Sequence, residues 1–230
     1  MKNSKTAILI FANSAEYEAS RKPFYKANSL FKELNETIEK KVKQTNIPYF
    51  VISEKNQIGT TFGERFTNAI QTIFDKGYDS IITLGNDTPH IKSKHIIEAY
   101  NKLASKQTVI GKSNDGGFYL LGISKTNFNK LDFLNLPWQK SSLFSILKKN
   151  FLDNKIDFSS FESLIDIDSI SDAEKIVHNS NYISTALKLI LTSMFFITSE
   201  INSSFFSFKN DLNQSHYFNK GSPFLNDCRI

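Results

Sequence analysis

Residues 81–89 read Ile-Ile-Thr-Leu-Gly-Asn-Asp-Thr-Pro, and this stretch decides the fold. Four residues of strand character run into Gly85, and a carboxylate, Asp87, follows within two positions. Pro89 stops the strand. Ile96, Ile97, Tyr100, Leu103 and Ala104 then recur with helical spacing. In open α/β sheets ligands bind where strands release their carboxyl ends into a crevice, and Asp87 is expected to stand in one. Asn, Asp and Pro also make ordinary turns before helices, so the remainder of the chain has to decide between a site and a turn.

Working outward on the amino-terminal side, residues 5–12 read Lys-Thr-Ala-Ile-Leu-Ile-Phe-Ala. We take them as a first buried parallel strand. The other reading, a signal-peptide core, suffers from a short apolar run with a helical segment directly behind it. Residues 13–22 are then expected to form a loop holding Asn13, Ser14, Arg21 and Lys22, without glycine. Leu30, Phe31, Leu34, Ile38 and Val42 define an amphipathic helix over roughly 24–44, and residues 48–53 a second strand. A loop with Gln57 and Gly59 leads to Thr61-Phe62-Gly63-Glu64, a capping box with the hydroxyl first and the carboxylate three residues on. The helix it opens carries Arg65 and closes at Gly77.

On the carboxyl-terminal side, residues 108–111 are expected to form a strand, Asp115-Gly116-Gly117 a turn, and residues 118–121 a returning strand. Adjacent glycines let a backbone approach a ligand closely or simply permit positive φ. Trp138, the only tryptophan, is expected to be a packing anchor ahead of a helix with Leu143, Phe144, Leu147 and Phe151. Residues 163–168 alternate as a strand, which would point Asp166 and Asp168 to one face. Two carboxylates on one face repel unless a cation or hydrogen-bond donors compensate them. Ser171-Asp172-Ala173-Glu174 reads as another capping box.

Composition narrows the class. The chain has 230 residues, 40% of them hydrophobic, and a net charge of +5 that comes almost wholly from scattered lysines. Arginine occurs only at Arg21, Arg65 and Arg229, and no nucleic-acid module is present, so no nucleic-acid partner is expected. Cys228 is the only cysteine, which excludes a disulfide framework within one chain and fits a reducing, cytoplasmic location. The four histidines lack metal-ligand spacing, and surface positions are expected for most.

Alternating strands and helices from residue 5 to about 180 predict an α/β fold with a mostly parallel sheet. The division expected is residues 1–180 as a nucleotide-binding domain and 181–230 as a C-terminal extension, an apolar helix plus a Phe-rich tail. The apolar run 183–197 is shorter than the about 20 residues a membrane span needs. It suits a helix that docks on the domain or on a second copy in a homodimer. Interfacial membrane contact through residues 183–208 is the other reading.

Four blocks now stand in order: Gly59-x-x-Phe62-Gly63-Glu64-Arg65-Phe66, Gly85-Asn86-Asp87-Thr88-Pro89, Asp115-Gly116-Gly117-Phe118-Tyr119-Leu120-Leu121-Gly122 and Asp166-Ile167-Asp168. Together, over about residues 5–178, they resemble a bacterial family of glycosyltransferase-A-like proteins of unassigned function. That family is similar in fold to sugar-nucleotide transferases and to nucleotidyltransferases of molybdenum-cofactor and coenzyme F420 synthesis. The resemblance implies a three-layer α/β/α nucleotide-diphospho-sugar transferase fold. It matches Asp87 to the family's strand-end Asp and Asp166/Asp168 to its second acidic point, and sets the Gly59–Arg65 block near the nucleotide base and ribose.

The expected activity is transfer of a glycosyl or nucleotidyl group from a nucleotide-sugar or nucleoside triphosphate to a small acceptor. Asp87 and Asp115 are the candidate catalytic residues. Arg21, Lys22, Gln57, Gly59, Gly63, Arg65, Asn86, Gly116 and Gly117 are the candidate substrate-binding residues. Asp87, Asp166 and Asp168 are the candidate ligands of magnesium or manganese, since a hard cation is held by carboxylates and substrate phosphates. One departure stands out. Family members usually carry a Gly-x-x-Lys-Thr-Arg-Leu-like segment after the first strand, and residues 13–22 here offer only Arg21-Lys22. A binding or assembly protein that has lost turnover is therefore the competing reading.

Overall fold

The computed structural model describes residues 5–22, 25–178 and 183–194. The Phe-rich segment from Phe195 onward, His216, Cys228 and Arg229 lie outside the described residues, so the expectations placed on them are not addressed.

Six strands form one sheet: β1 (Thr6–Phe11), β2 (Tyr49–Ile52), β3 (Ser80–Leu84), β4 (Thr108–Ser113), β5 (Phe118–Ser124) and β6 (Phe158–Leu164), in the order β2-β1-β3-β5-β4-β6. Pairs β1–β2, β1–β3 and β4–β6 are parallel, while β5 is antiparallel to both β3 and β4. All strands except β5 therefore run in the same direction and release their carboxyl ends along one edge. Connections leave β1 toward β2 on one side and reach β3 on the other, so the chain reverses its winding at β1. A crevice opens at such a point.

Alternation along the strands fills both faces. Ala7, Leu9, Ile81, Ile110, Leu121 and Ile123 face one core, with Phe66, Ile70, Ile73 and Phe74 of α3 (Phe62–Asp75), Phe128 of the short α5 (Lys125–Phe128) and Leu147 and Phe151 of α6 (Leu143–Asp153). Ile8, Ile10, Ile82, Val109 and Leu120 face the other, with Ile38 and Val42 of α2 (Ala27–Lys43) and Ile96, Ala99 and Leu103 of α4 (Ser93–Ala104). Strands with a period of two and buried on both sides place helices above and below. The three-layer α/β/α architecture follows.

The capping box at Thr61 and Glu64 is present, and Gly77 takes φ +88° past the end of α3. Trp138 packs as an anchor: its Nε1 donates to the Phe133 carbonyl at 2.8 Å, and its ring lies 5.0–6.0 Å from Phe62, Phe66 and Phe118.

Four expectations are corrected. Residues 13–22 are not a loop. Ser14 caps a helix, α1 (Ala15–Arg21), its hydroxyl accepting from Tyr17 N, with acidic residues in the first turn and Arg21 in the last. The last strand ends at Leu164, because the aromatic and β-forming run begins at Phe158, and Asp166 and Asp168 lie beyond it. The cap of α7 (Ile170–His178) is Ser169, two residues ahead of the expected Ser171: its hydroxyl accepts from Asp172 N at 3.2 Å and donates to Asp172 Oδ2 at 2.7 Å. Finally, His95, in the first turn of α4, is buried, its Nδ1 accepting from Lys92 N, with burial pressing its pKa down.

A third core lies at the side of the sheet. Residues 185–194 are helical, and their Leu187, Leu191 and Met194 are buried with Leu30, Phe31, Leu34, Ile167, Ala173 and Ile176. Ser184 donates to Glu33 at 2.8 Å and Lys26 donates to Ser193 at 3.0 Å. This helix docks on its own chain.

Candidate functional site

At the edge where parallel strands end, β1 delivers Asn13. Its Nδ2 donates to Glu18 at 2.6 Å, its carbonyl accepts from Asn35 at 3.1 Å, and its Oδ1 accepts from Gln57 at 3.4 Å. Asn86, at the end of β3, donates to Asn35 at 2.7 Å. Gln57, Asn13, Asn35 and Asn86 thus form a polar chain across the ends of β2, β1 and β3. Each buried amide in such a chain is held in one orientation by its neighbours.

Helix α1 aims Lys22 back into the molecule. Its side chain is 13% exposed, and its ammonium lies 3.1 Å from Asp168 Oδ1, 3.8 Å from Glu18 and 3.5 Å from the Ile167 carbonyl. The Phe31 ring backs it at 5.1 Å. Burial opposes the charge, but the attraction of Asp168, Asp87 and Glu18 outweighs it and raises the pKa. Lys22 is therefore a charged ammonium bound to Asp168 and within electrostatic reach of Asp87.

Asp87 turns back over Gly85, where an added Cβ would come 3.1 Å from its Oδ1. The Asp87 carbonyl accepts from Ile167 N at 2.9 Å, and the Thr88 hydroxyl donates to the buried carboxylate of Asp166. So the segments that carry Asp87 and the Asp166/Asp168 pair are joined through backbone and side chains. Their employment differs: Asp166 turns inward to Thr88, whereas Asp168 pairs with Lys22.

The β4–β5 turn stands along the same edge. Asp115 is exposed, and its Oδ1 accepts from Gly117 N at 3.0 Å. Gly116 has φ +93°, and a Cβ there would come 2.0 Å from the Ser141 carbonyl, so this glycine serves a close approach of protein backbone.

The other expected substrate-binding residues are placed differently. Arg21 is exposed and lies over the Tyr17 ring of its own helix at 5.0 Å. Arg65 donates to the Thr60 carbonyl at 2.7 Å, holding the loop ahead of α3. Gly59, at φ +132°, makes the turn into that loop, and Gly63 leaves room for Trp138, whose Nε1 an added Cβ would approach to 2.6 Å. Sequence reasoning missed Glu18 and Asn35. Glu18 had a readable signal, the four-residue spacing to Lys22 on one helix face. Asn35 had none, because its partners come from two other elements.

A divalent cation suits part of this arrangement. Among the described residues no three His, Cys, Asp or Glu side chains converge as ligands. The Lys22 ammonium is ion-paired with Asp168 and Glu18 and is stabilised also by the charge of Asp87. One or two carboxylates completed by substrate phosphates is the usual provision for magnesium.

Residues 36–140 match the family described as an uncharacterized protein conserved in bacteria, DUF2064. No curated protein matches the chain in sequence. Among solved structures, one from Desulfovibrio desulfuricans G20, named provisionally as a nucleotide-diphospho-sugar transferase, superposes with a TM-score of 0.72 at 19% identity, covering 86% of this chain and 98% of its own. A cytidylyltransferase from Leptospira borgpetersenii covers 91% of this chain and 100% of its own, at 17% identity and a TM-score of 0.47. Rv0371C of Mycobacterium tuberculosis H37Rv, solved in complex with manganese, covers 75% and 98% at 10% identity and a TM-score of 0.45. Residues 36–140 thus carry the DUF2064 match, within a chain whose fold is that of the nucleotide-diphospho-sugar transferase-like structure.

Proposed function

We propose that this chain binds a nucleotide-sugar or nucleoside triphosphate at the carboxyl-terminal edge of β1 and β3. There it transfers a glycosyl or nucleotidyl group to a small acceptor. The observation that supports this reading most is that Lys22 pairs with Asp168 while the next residue inward, Ile167, bonds the Asp87 carbonyl, so three distant segments are joined at the reversal of sheet winding. Residues 1–180 form the nucleotide domain in this reading, and 181–230 the extension. Asp87 and Asp168 hold magnesium or manganese, which when bound supplies charge neutralisation at the leaving phosphate. Lys22 meets the phosphates, and Asn86 and Gln57 line the approach. Asp115, projecting from the hairpin turn, positions the acceptor or takes its proton. The reaction belongs in the cytoplasm.

Calorimetry with a panel of nucleotides and nucleotide-sugars, with magnesium or manganese present, tests this. One member should bind, and Asp87→Asn should weaken it at least about tenfold, the loss of one strong charged contact. A panel that gives no heat with either metal would overturn the reading.

A second reading is favoured by the first segment: α1 replaces a glycine-bearing phosphate loop, and Arg21 faces solvent. In it the chain is a binding or assembly protein without turnover, with the extension as partner surface in a homodimer. Turnover on the same panel, abolished in Asp87→Asn, would exclude it.

A further inference from the structure

His95 joins α4 to β6, the strand at the far edge of the sheet, and its two ring nitrogens have different partners. Lys92 is the N-cap of α4 and His95 its third helical residue. Nδ1 accepts from Lys92 N at 3.3 Å, and the His95 main-chain N–H returns a bond to the Lys92 carbonyl at 2.9 Å. The imidazole thus takes the place that a Glu or Gln side chain takes in a capping box. Nε2 lies 3.6 Å from Glu162 Oε1, and the Phe161 ring stands 6.1 Å away. A neutral imidazole that accepts at Nδ1 carries its proton on Nε2, here on the side of the Glu162 carboxylate.

Lys92 closes the segment that begins at Asp87. Within it the Thr88 hydroxyl donates to Asp166, Lys41 donates to the Pro89 carbonyl at 2.9 Å, and Ile91 N donates to the Thr88 carbonyl at 3.3 Å. A carbonyl or a carboxylate oxygen remains an acceptor at any pH. Nδ1 does not, because the proton it takes up occupies its one lone pair. Burial opposes charge on the His95 ring most. Lys94 and Lys92 add to that opposition, Glu162 and Glu98 favour the charge, and the pKa settles below the ordinary histidine value. Tyr119 donates to the Glu162 carbonyl at 3.2 Å, and burial pushes its own pKa up, so it stays neutral.

We propose that His95 is a proton-operated latch on this segment. Neutral, it holds the Lys92 end to the first turn of α4. Protonated from solvent, it turns Nδ1 into a donor, releases the Lys92 N–H and keeps its pairing with Glu162. The folded pKa lies below the unfolded one, so the latch is fully closed above about pH 6.5 and opens as pH falls through the folded value.

The test uses the full chain labelled with nitrogen-15, without nucleotide, followed by NMR from about pH 7.5 to about pH 5, the range in which histidine titrates. At the upper end the His95 ring should show the Nε2–H tautomer. Hydrogen-exchange protection of the Lys92 amide, corrected for intrinsic rate, should fall on the order of tenfold through the His95 midpoint, the equivalent of about one hydrogen bond. Protection of Ile82, in the middle of β3, should stay constant. His95→Gln supplies an acceptor that does not titrate and should keep Lys92 protected across the range. Glu162→Gln should move the His95 midpoint down, since the favouring charge is gone.

An Nδ1–H tautomer at the upper pH overturns the proposal, as does Lys92 protection that ignores the His95 titration. The same loss of protection in His95→Gln as in the wild type overturns it too. If His95→Gln does not fold, the tautomer and the Lys92 protection of the unmutated chain decide alone.

Discussion

The main-chain N–H of Ile167 donates to the main-chain carbonyl of Asp87 at 2.9 Å. The two acidic segments are thereby held together by a bond that does not involve the Asp87 or Asp168 carboxylate. Asp87→Asn leaves this bond in place and should destabilise less than Thr88→Val. Thr88→Val is different, because it removes a donor from the buried Asp166 carboxylate. It should cost about 1–3 kcal/mol, measured by chemical denaturation. Equal stability of the two variants would mean that Asp166 does not depend on Thr88.

Gly63→Ala would push a methyl group into Trp138, at 2.6 Å from Nε1 and 2.8 Å from Cδ1. The ring must shift against Phe62, Phe66 and Phe118. Overpacking of this kind costs about 1–3 kcal/mol. Since Trp138 is the only tryptophan, its fluorescence reports the shift directly. An unchanged emission spectrum with unchanged stability would show that the interface yields freely.

Glu64 accepts from Thr60 Oγ1 and N and from Thr61 N, and these bonds hold its carboxyl at a pKa of about 2. Hydrogen bonds to the charged form stabilise it. The folded pKa lies below the unfolded one, so the stabilisation is complete above about pH 4.5 and disappears as pH falls toward 2. Wild type should exceed Glu64→Gln in stability at pH 6, and the gap should close across that window. A gap independent of pH would contradict the assignment.

Leu191→Ala empties a fully buried position among Leu30, Phe31 and Ile176. It should cost about 2–5 kcal/mol, the range for deleting a core leucine side chain. A cost near zero would mean that the helix at 185–194 does not seal this core in solution.

Much of the fold was legible because its signals are local. The double-sided apolar strands at Ala7–Ile10 and Ile81–Leu84, the capping box at Thr61 and the glycine at 77 each depend on neighbours a few residues away. Two boundaries failed for the same reason. Ser171-Asp172-Ala173-Glu174 satisfies the capping pattern as well as Ser169 does, and only the packing of Ala173 and Ile176 against α2 selects the frame. The alternation at Ser163–Asp168 persists beyond the last strand bond, so periodicity alone could not mark its end. In the site, Asp87 and the Asp166/Asp168 pair could be named from their blocks. The pairing of Lys22 with Asp168, 146 residues apart, could not, since no local rule connects them.

Ile167 sits with its side chain in the same sealed cluster as Leu187 and Leu191, flanked in sequence by the two aspartates. Anything that grips or lifts the 185–194 helix therefore pulls on a lever whose short arm ends at Asp166 and Asp168.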